Sequence, residues 1–280
     1  MELSLKVDGK NIILILLAGG IGDRLGSKTS KQMIKIDNMT VLEKCICNFI
    51  DNLKNIKILI VSNNKDLRKI KDIAHKYQLL EPIIGGDTRH ESVYNALTFL
   101  KKDAPEFVLV HDSARPIVTK KVLENLIESI NLNYTCVIPI LPLNDSIRSA
   151  YNNEIHDVVN RQDKVIVQTP QLCNYKELVK AHKNSIEIFE DESSLLMSKG
   201  IKIMTVEGDP RSLKITYEND LKLLEPYLTN SSKYITVIGN GFDIHRFDLT
   251  KNNTENFIKL GGVKVPHLRP LIGHSDADVL

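Results

Sequence analysis

The sequence lacks tryptophan, is poor in aromatic residues and carries almost no net charge. Its 37 basic residues are balanced by 35 acidic residues, which leaves a formal charge of +2. Proteins that bind nucleic acid through its phosphates present a strongly basic surface, and this composition supplies no such surplus. We therefore expect no nucleic-acid partner, whereas a local site for a small anion is compatible with the composition.

Long apolar runs are missing, and cysteine is sparse. The apolar run that begins at Ile12 is far shorter than the roughly 20 residues of a membrane-spanning helix, and no secretory cleavage site follows it. The four cysteines lack zinc-binding spacing and are expected to be free thiols. They are Cys45, Cys47, Cys136 and Cys173. We expect a cytoplasmic protein with no membrane partner, comprising one large domain or two smaller ones.

The most informative segment is 11–32, which reads N-I-I-L-I-L-L-A-G-G-I-G-D-R-L-G-S-K-T-S-K-Q. Its apolar run predicts a buried strand, and the glycines that follow allow backbone N–H groups to approach an anionic ligand closely. Arg24, Lys28 and Lys31 add positive charge to the same loop. We interpret the segment as a phosphate-binding loop. It lacks the Gly-Lys-Ser/Thr of a Walker A loop, and Leu25 stands where a Rossmann fingerprint has its third glycine.

Strands and helices alternate along the chain. The predicted strands cover residues 12–17, 56–61, 82–84, 107–110, 136–141 and 201–206, and the predicted helices cover residues 40–53, 66–77, 91–100, 120–130, 175–183, 191–199 and 217–228. This rhythm predicts an α/β fold with a mainly parallel sheet and helices on both faces. Ligands of such sheets bind beyond the carboxyl ends of the strands, so we expect the site in the loops after residues 17, 84 and 110.

Residues 144–167 break the alternation. Two short β-prone pieces flank Asn152 and Asn153, a pair that is typical of a tight hairpin turn. We predict a β arm that projects from the sheet. The polar residues 229–233 follow the last of these helices and indicate a linker, after which a new strand is predicted over 234–238.

Two further loops carry residues suited to nucleotide chemistry. The loop G-G-D-T-R-H-E-S-V begins at Gly85, and its glycines permit close contact with a base or ribose. We predict that Ser92 begins a helix there, where its N–H and hydroxyl can meet an acceptor. The loop H-D-S-A-R-P places Asp112 at a strand end, as a candidate magnesium ligand. A Ser-His-Asp triad is excluded because the three residues are adjacent and no G-x-S-x-G elbow is present.

The motifs A-G-G-x-G-x-R, Lys31, G-G-x-x-R-x-x-S-V, H-D-x-A-R-P, T-P-Q and L-K-I-T follow one another in this order. Together they resemble the 2-C-methyl-D-erythritol 4-phosphate cytidylyltransferase family of the non-mevalonate isoprenoid pathway. The resemblance covers about residues 10–228 and implies a Rossmann-like nucleotidyltransferase domain. It implies that CMP is transferred from CTP to 2-C-methyl-D-erythritol 4-phosphate with release of pyrophosphate, in the presence of Mg²⁺.

The resemblance also implies a role for each matching residue. Arg24 and Lys31 would stabilise the transition state, and Asp112 would hold magnesium against the CTP phosphates. The residues expected to bind CTP are Gly20, Gly22, Gly85, Asp87, Arg89 and Ser92. The residues expected to bind the acceptor are Ser146, Arg161, Thr169 and Lys214. In the family the arm reaches into a neighbouring subunit, so we expect a homodimer in which Ser146 and Arg161 act on the partner's site.

The last part of the chain contains I-G-N-G-F-D-I-H-R-F, L-G-G-V-K-V-P and G-H-S-D-A-D-V-L. These motifs resemble the start of 2-C-methyl-D-erythritol 2,4-cyclodiphosphate synthase. The resemblance implies that Asp243 and His245 are zinc ligands and that His274 and Ser275 contact the substrate. In the family a third zinc ligand lies just beyond the position of Leu280, so we expect that this chain alone does not catalyse cyclisation, whereas the full-length protein does.

The expected organisation is a cytidylyltransferase domain over 1–228, a linker over 229–233 and a truncated α+β synthase fragment over 234–280. Two other functions stay open. One is another small-molecule nucleotidyltransferase of the same fold, which would activate a sugar or molybdopterin; the arm residues and the synthase-like fragment argue against it. The other is a non-catalytic nucleotide-binding module, and the presence of Arg24, Lys31 and Asp112 argues against that.

Overall fold

The structure is a computed structural model that describes residues 11–20, 30–229, 246–260 and 263–272. Contacts within the chain divide it into two compact units, Met1–Ser231 and Ser232–Leu280. The predicted strand over 234–238 lies outside the described residues. Within the described part of the chain, no helix has the length and apolarity needed to cross a bilayer.

The strands of the first unit are β1 (Ile12–Ala18), β2 (Lys35–Ile36), β3 (Met39–Thr40), β4 (Lys57–Ser62), β5 (Ile83–Ile84), β6 (Phe107–Asp112), β7 (Cys136–Pro142), β8 (Ile147–Tyr151), β9 (Glu154–Val159), β10 (Val165–Val167), β11 (Gln171–Asn174) and β12 (Ile203–Glu207). Its helices are α1 (Val41–Asn52), α2 (Leu67–Lys76), α3 (Arg89–Phe99), α4 (Lys120–Glu128), α5 (Tyr175–Lys183), α6 (Glu192–Ser198) and α7 (Glu218–Leu228).

Eight of these strands form one mixed sheet, and seven of them follow the order β5-β4-β1-β6-β11-β7-β12. The eighth, β10, pairs with the same edge of β7 as β11 does, further along that strand. The strands β5, β4, β1, β6, β7 and β12 run in one direction, whereas β10 and β11 run antiparallel to them. The mainly parallel sheet predicted from the sequence is therefore confirmed. Strand β11, which was not predicted, inserts between β6 and β7.

The centre of the sheet is buried on both faces because β1 and the middle residues of β4 and β6 are apolar. Leu14 and Leu16 of β1 point to one face, where they pack in a core with α1, α2 and α4. Ile13 and Ile15 point to the opposite face and pack in a core with α3, α5 and α6. Each such side chain stabilises the fold by roughly 1.5–3 kcal/mol. Helices thus cover both faces, as the alternating pattern predicted.

Helix α3 begins at Arg89, two residues before the predicted start. Thr88 and Glu91 form a capping box: Thr88 Oγ1 accepts the N–H of Glu91 at 3.1 Å, and the Glu91 carboxylate accepts the N–H of Thr88 at 3.3 Å. The prediction that Ser92 begins the helix is therefore wrong. Its N–H is already satisfied by the Thr88 carbonyl at 3.0 Å and is not offered to a ligand.

The arm is a hairpin of β8 and β9. Asn152 and Asn153 connect the strands with φ angles of 52° and 64°, the left-handed region that asparagine tolerates in tight hairpin turns. This turn confirms the hairpin predicted from the sequence. The arm is shorter than predicted, because Val165–Val167 pairs with β7 and belongs to the main sheet. Large apolar side chains of the hairpin, such as Ile155 and Val158, are exposed.

In the second unit the described residues contain β13 (Arg246–Phe247), β14 (Phe257–Leu260), β15 (Val263–Pro266) and β16 (Leu271–Ile272). Strand β13 pairs with β16 and β14 with β15, both antiparallel. The candidate zinc ligands Asp243 and His245 and the candidate substrate contacts His274 and Ser275 lie outside the described residues. Their assignments therefore stay predictions.

Candidate active site

A cavity of about 710 Å³ opens at the carboxyl ends of β1, β4, β5 and β6. Most of its walls come from the loops that follow these strands, and a segment after β12 adds Lys214. The cavity therefore lies where a mainly parallel sheet places its ligands. It brings together eight of the residues predicted for the site, namely Gly20, Lys31, Gly85, Asp87, Arg89, Ser92, Asp112 and Lys214.

Four side chains of alternating charge form a continuous ionic chain at this cavity. The two terminal nitrogens of Arg89 donate to the two carboxylate oxygens of Glu192 at 2.7 and 3.0 Å. Arg89 Nε donates to Asp112 Oδ1 at 3.2 Å, and Lys214 Nζ donates to Asp112 Oδ2 at 2.8 Å. Each buried carboxylate thus has cationic donors, which offsets the cost of removing it from water.

In this ionic chain, Asp112 and Arg89 are each kept ionised by neighbours of opposite charge. Burial disfavours the ionised form of Asp112, but Arg89 and Lys214 outweigh it and hold the pKa of the carboxyl below its usual range. Burial likewise disfavours the charge of Arg89, and Glu192 and Asp112 hold its pKa above the ordinary value. Asp112 and Arg89 are therefore ionised at neutral pH.

A chain of hydrogen bonds through Thr169 and His111 fixes the backbone of Asp112. Its N–H donates to Thr169 Oγ1 at 3.2 Å, and that hydroxyl lies 2.9 Å from His111 Nδ1. The other ring nitrogen of His111 lies 2.9 Å from the carbonyl oxygen of Arg115. A carbonyl can only accept, so Nε2 carries the ring proton and the Thr169 hydroxyl donates to Nδ1. Burial lowers the pKa of His111 to about 4, which agrees with this neutral form.

The second glycine loop is tight because two of its glycines touch the first turn of α3. A Cβ on Gly85 would lie 2.5 Å from Ser92 Oγ, and a Cβ on Gly86 would lie 2.3 Å from Glu91 Cβ. Ser92 Oγ accepts the N–H of Gly86 at 3.1 Å and donates to the Thr88 carbonyl at 2.8 Å. Ser92 therefore shapes the loop as well as lining the cavity.

Gly20, in the described part of the first glycine loop, is not packed in this way. A Cβ on Gly20 would meet no atom of the described residues within 4 Å. Lys31 begins a short 3₁₀ turn, and its Nζ donates to the Thr216 carbonyl at 3.0 Å. The next residue, Gln32, ties this turn to the end of β1 by donating to the Ala18 carbonyl at 2.7 Å. Gly22 and Arg24 lie outside the described residues, so their roles stay predictions.

Three residues predicted to bind the acceptor do not line this cavity. Thr169 is buried, and its hydroxyl is hydrogen-bonded to the Asp112 N–H and to His111. Ser146 and Arg161 are exposed at the base of the arm, where the Arg161 guanidinium donates to the Asn144 carbonyl. Lys214, the fourth, lines the cavity and contacts Asp112.

The segment D-E-S over 191–193 resembles a motif of the family, but that resemblance assigned Glu192 no firm role. Its side chain is only 2% exposed and holds both terminal nitrogens of Arg89. An acidic residue in the first turn of a helix is ordinarily explained by the helix dipole. Its partner Arg89 lies 103 positions away in the sequence. No local pattern could therefore have identified the pair.

The donor set at the cavity fits a magnesium ion held jointly with phosphate groups. Each Asp112 oxygen accepts one hydrogen bond from a cation and keeps further lone-pair capacity. Magnesium takes one or two protein carboxylates and fills its other positions with phosphate oxygens and water. In the described ranges no group of three or more His, Cys, Asp or Glu residues is arranged to hold a metal ion.

A mainly parallel sheet with two glycine loops, a buried carboxylate and two lysines at its strand ends defines an α/β enzyme that acts on a phosphate-bearing ligand. Residues 12–230 match the family described as 2-C-methyl-D-erythritol 4-phosphate cytidylyltransferase, and the chain belongs to that family. Residues 236–280 match the YgbB family. The resemblance inferred from the motifs is confirmed for both parts of the chain.

Individual relatives agree with these matches. The bifunctional enzyme IspD/IspF of Wolbachia pipientis wMel is 34% identical over 273 residues, covering 96% of this chain and 68% of that protein. The 2-C-methyl-D-erythritol 4-phosphate cytidylyltransferase of Wigglesworthia glossinidia brevipalpis is 39% identical over 227 residues, covering 80% of this chain and 98% of that protein. The solved structure of the bifunctional IspDF from Campylobacter jejuni shares 31% identity with a TM-score of 0.66, covering 96% of this chain and 66% of that chain. This chain thus spans about two thirds of the length of its bifunctional relatives.

Proposed function

We propose that this chain transfers CMP from CTP to 2-C-methyl-D-erythritol 4-phosphate, which gives 4-diphosphocytidyl-2-C-methyl-D-erythritol and pyrophosphate. Membership of the cytidylyltransferase family supports the reaction. The observation that carries the site assignment is the contact between Lys214 and Asp112 in the same cavity as Lys31 and Gly20. The two lysines and Gly20 therefore line the same cavity, which could hold one phosphate-bearing ligand.

The physical difficulty of this reaction is charge repulsion, because an anionic phosphate attacks the α-phosphorus of another anion. Catalysis then depends on positioning and on preorganised positive charge. Lys31 and Lys214 line the cavity and supply such charge, and Arg24 is proposed to add to it. Magnesium, held by Asp112 and the CTP phosphates, would neutralise part of the charge on those phosphates when bound.

The cytidine end of CTP is assigned to the second glycine loop. Gly85 and Gly86 are packed against α3 with no room for a side chain, and Asp87 and Ser92 supply polar groups beside them. We expect the small residues of this loop to leave room for a pyrimidine and to disfavour a larger purine. The open space at Gly20 is assigned to the triphosphate, where backbone N–H groups can approach an anion.

A homodimer is proposed, in which the arm supplies Ser146 and Arg161 to the partner's acceptor site. Both residues are exposed and lie away from the cavity of their own subunit. The hairpin carries exposed apolar side chains, and a two-stranded ribbon is marginally stable by itself. A cytoplasmic location is also proposed, and the four free cysteines agree with a reducing compartment.

For the whole protein, of which this chain corresponds to about two thirds, cyclodiphosphate synthase activity is proposed as a second function. The match of residues 236–280 to the YgbB family and the names of the bifunctional relatives support it. Asp243 and His245 are proposed as two zinc ligands of that second site. A site of this class needs three protein ligands besides its open position.

Pyrophosphate release from CTP tests the first proposal. We expect release that depends on both methylerythritol phosphate and magnesium, and that falls to background in Lys31→Ala. The exposed Lys35, which does not line the cavity, provides the matched control Lys35→Ala with wild-type rates. CTP binding without acceptor-dependent release would contradict the proposed acceptor, and rates that survive in Lys31→Ala would contradict the assigned site.

A further inference from the structure

We infer that Glu192 is a positioning residue for cytidylyl transfer: it orients Arg89, and through Arg89 it sets the Asp112–Lys214 pair. The inference rests on the proposed function of the cavity. Glu192 itself does not line the cavity, so it acts through other side chains.

The contact between Glu192 and Arg89 has the geometry that fixes an arginine most firmly. Both terminal guanidinium nitrogens are engaged by the two oxygens of one carboxylate, which is a planar two-point contact. Because the guanidinium is rigid, this contact also fixes the direction of Nε, which points at Asp112 Oδ1. The orientation of Arg89 beside the cavity is therefore set by a carboxylate that does not itself line the cavity.

Glu192 is in turn held rigidly to the central sheet. Gln171 of β11 is fully buried, and its side-chain amide bridges the residues on either side of Glu192. Its Nε2 donates to Asp191 Oδ2 at 3.0 Å, and its Oε1 accepts the N–H of Ser193 at 3.0 Å. Asp191 also caps α6 by accepting the N–H of Ser194 at 2.8 Å. The carboxylate of Glu192 is thus presented from a fixed backbone.

Both carboxylates of the ionic chain are held by one short segment, residues 169–171, at the start of β11. Thr169 accepts the N–H of Asp112, and Gln171, two positions further on, fixes the backbone around Glu192. Arg89 spans the distance between the two carboxylates. Because this segment fixes both carboxylates, it also fixes the position of the Arg89 guanidinium between them. Catalysis that depends on charge placed to within an ångström requires such a fixed arrangement.

The charge balance explains why the second carboxylate matters. With Glu192 present, Arg89 is neutralised mainly by a partner outside the cavity, and Asp112 retains an oxygen for Lys214. Without that carboxylate, Asp112 would be the counter-ion of both cations and Arg89 would move towards it. Buried ion pairs add little net stability compared with apolar packing, so stability alone is a weak reason for this arrangement.

The first test compares Glu192→Gln with Glu190→Gln, an exposed glutamate two positions earlier. Initial rates of pyrophosphate release are measured per folded protein, with folding followed by circular dichroism. We expect kcat of Glu192→Gln to fall about 10- to 100-fold, with a smaller change in KM for CTP. Glu192→Asp, which keeps the charge on a shorter side chain, is expected to recover part of the loss. A kcat for Glu192→Gln within about twofold of Glu190→Gln would overturn the inference.

The second test asks whether Glu192 acts through Arg89. Arg89→Lys keeps the charge but removes the two-point contact. If Glu192 works through that contact, the double variant Glu192→Gln/Arg89→Lys is no slower than the slower single variant. If the fold losses in kcat of the two single variants multiply in the double variant, Glu192 acts independently of Arg89 and the inference is overturned. Should Glu192→Gln not fold, Glu192→Asp with Arg89→Lys gives the same cycle.

The two proposals fail in different ways. If the wild type releases no pyrophosphate with methylerythritol phosphate, the proposed function is wrong and the inference falls with it. If the wild type is active and Glu192→Gln is equally active, the proposed function stands and the inference alone is wrong.

Discussion

Lys214 and Asp112 are 102 positions apart in the sequence, yet Lys214 Nζ lies 2.8 Å from Asp112 Oδ2. The contact brings the segment after β12 back to the carboxyl end of β6. It joins a cation that lines the cavity to a carboxylate whose side chain is only 12% exposed. Asp112 therefore anchors the lysine, so the ammonium group occupies one place before any ligand binds.

Replacing Lys214 by alanine is expected to reduce the rate far more than it reduces stability. Asp112 keeps its contact with Arg89, so the fold is retained. Loss of one preorganised group that stabilises developing charge costs about 10²- to 10³-fold in kcat. Pyrophosphate release and thermal unfolding would measure the two effects. The exposed Lys222 on α7 offers the control Lys222→Ala, and equal rates in the two variants would contradict the assignment.

Two glycine substitutions are expected to separate packing from ligand binding. Gly85→Ala places a Cβ 2.5 Å from Ser92 Oγ and should lower the free energy of unfolding by about 1–3 kcal/mol. Gly20→Ala meets no atom within 4 Å in the described part of the chain and should leave stability unchanged while weakening CTP binding. Chemical denaturation and calorimetric titration with CTP would measure these effects. Unchanged CTP affinity in Gly20→Ala would contradict the assignment of that space to the triphosphate.

Stability is expected to fall as the pH drops from 6.5 to 5, because two histidines are buried in their neutral form. Burial lowers the pKa of His182 to about 3 and that of His111 to about 4. The unfolded chain binds these protons at about pH 6.5, so their contribution to stability is present above that pH and is lost below it. Each histidine then costs about 2 kcal/mol over this window, at roughly 1.4 kcal/mol per pH unit.

Urea unfolding at several pH values would check this expectation. His182 packs in a ring cluster with His90 and Tyr94, and Arg89 lies close enough to disfavour its protonation. His182→Phe keeps an aromatic ring there and should make the loss of stability between pH 6.5 and 5 shallower. His75→Gln, at an exposed position on α2, should leave the slope unchanged. Parallel slopes for His182→Phe and the wild type would refute the explanation.

A charge on the arm is expected to disrupt the proposed homodimer. Val158 on β9 is 77% exposed, and Val158→Glu should halve the mass measured by light scattering. Activity should fall with it, because Ser146 and Arg161 would no longer reach a partner's site. Leu132→Glu, at an exposed apolar position outside the arm, should leave both mass and activity unchanged. A wild type that is monomeric at assay concentrations would rule the dimer out.

Much of the fold was predictable because its signals are local. Strands β1, β4 and β6 are short apolar runs, and the Asn152–Asn153 turn has the composition of a tight hairpin. The position of the cavity followed from the parallel sheet alone. The start of α3 was also predictable in principle, since T-R-H-E is a capping-box sequence that begins at Thr88.

The remaining features depend on contacts between distant parts of the chain. Strand β11 has four residues and begins with the buried polar Gln171, so neither its length nor its pattern marks it as a central strand. Its place in the sheet is set by the edges of β6 and β7. The ionic chain depends in the same way on tertiary structure, because Glu192 and Arg89 meet only after α3 and α6 have packed on the sheet.

Strand β11 divides the sheet into two halves. On one side lie β6, β1, β4 and β5, whose loops form the proposed nucleotide side of the cavity. On the other lie β7 and β12, which lead to the arm and to Lys214. Because β6 and β7 are not neighbours, the spacing between the proposed nucleotide and acceptor sides is determined by one four-residue strand. A change in β11 would therefore alter the separation of the two proposed substrate sites, and at Gln171 it would also disturb the backbone that presents Glu192 to Arg89.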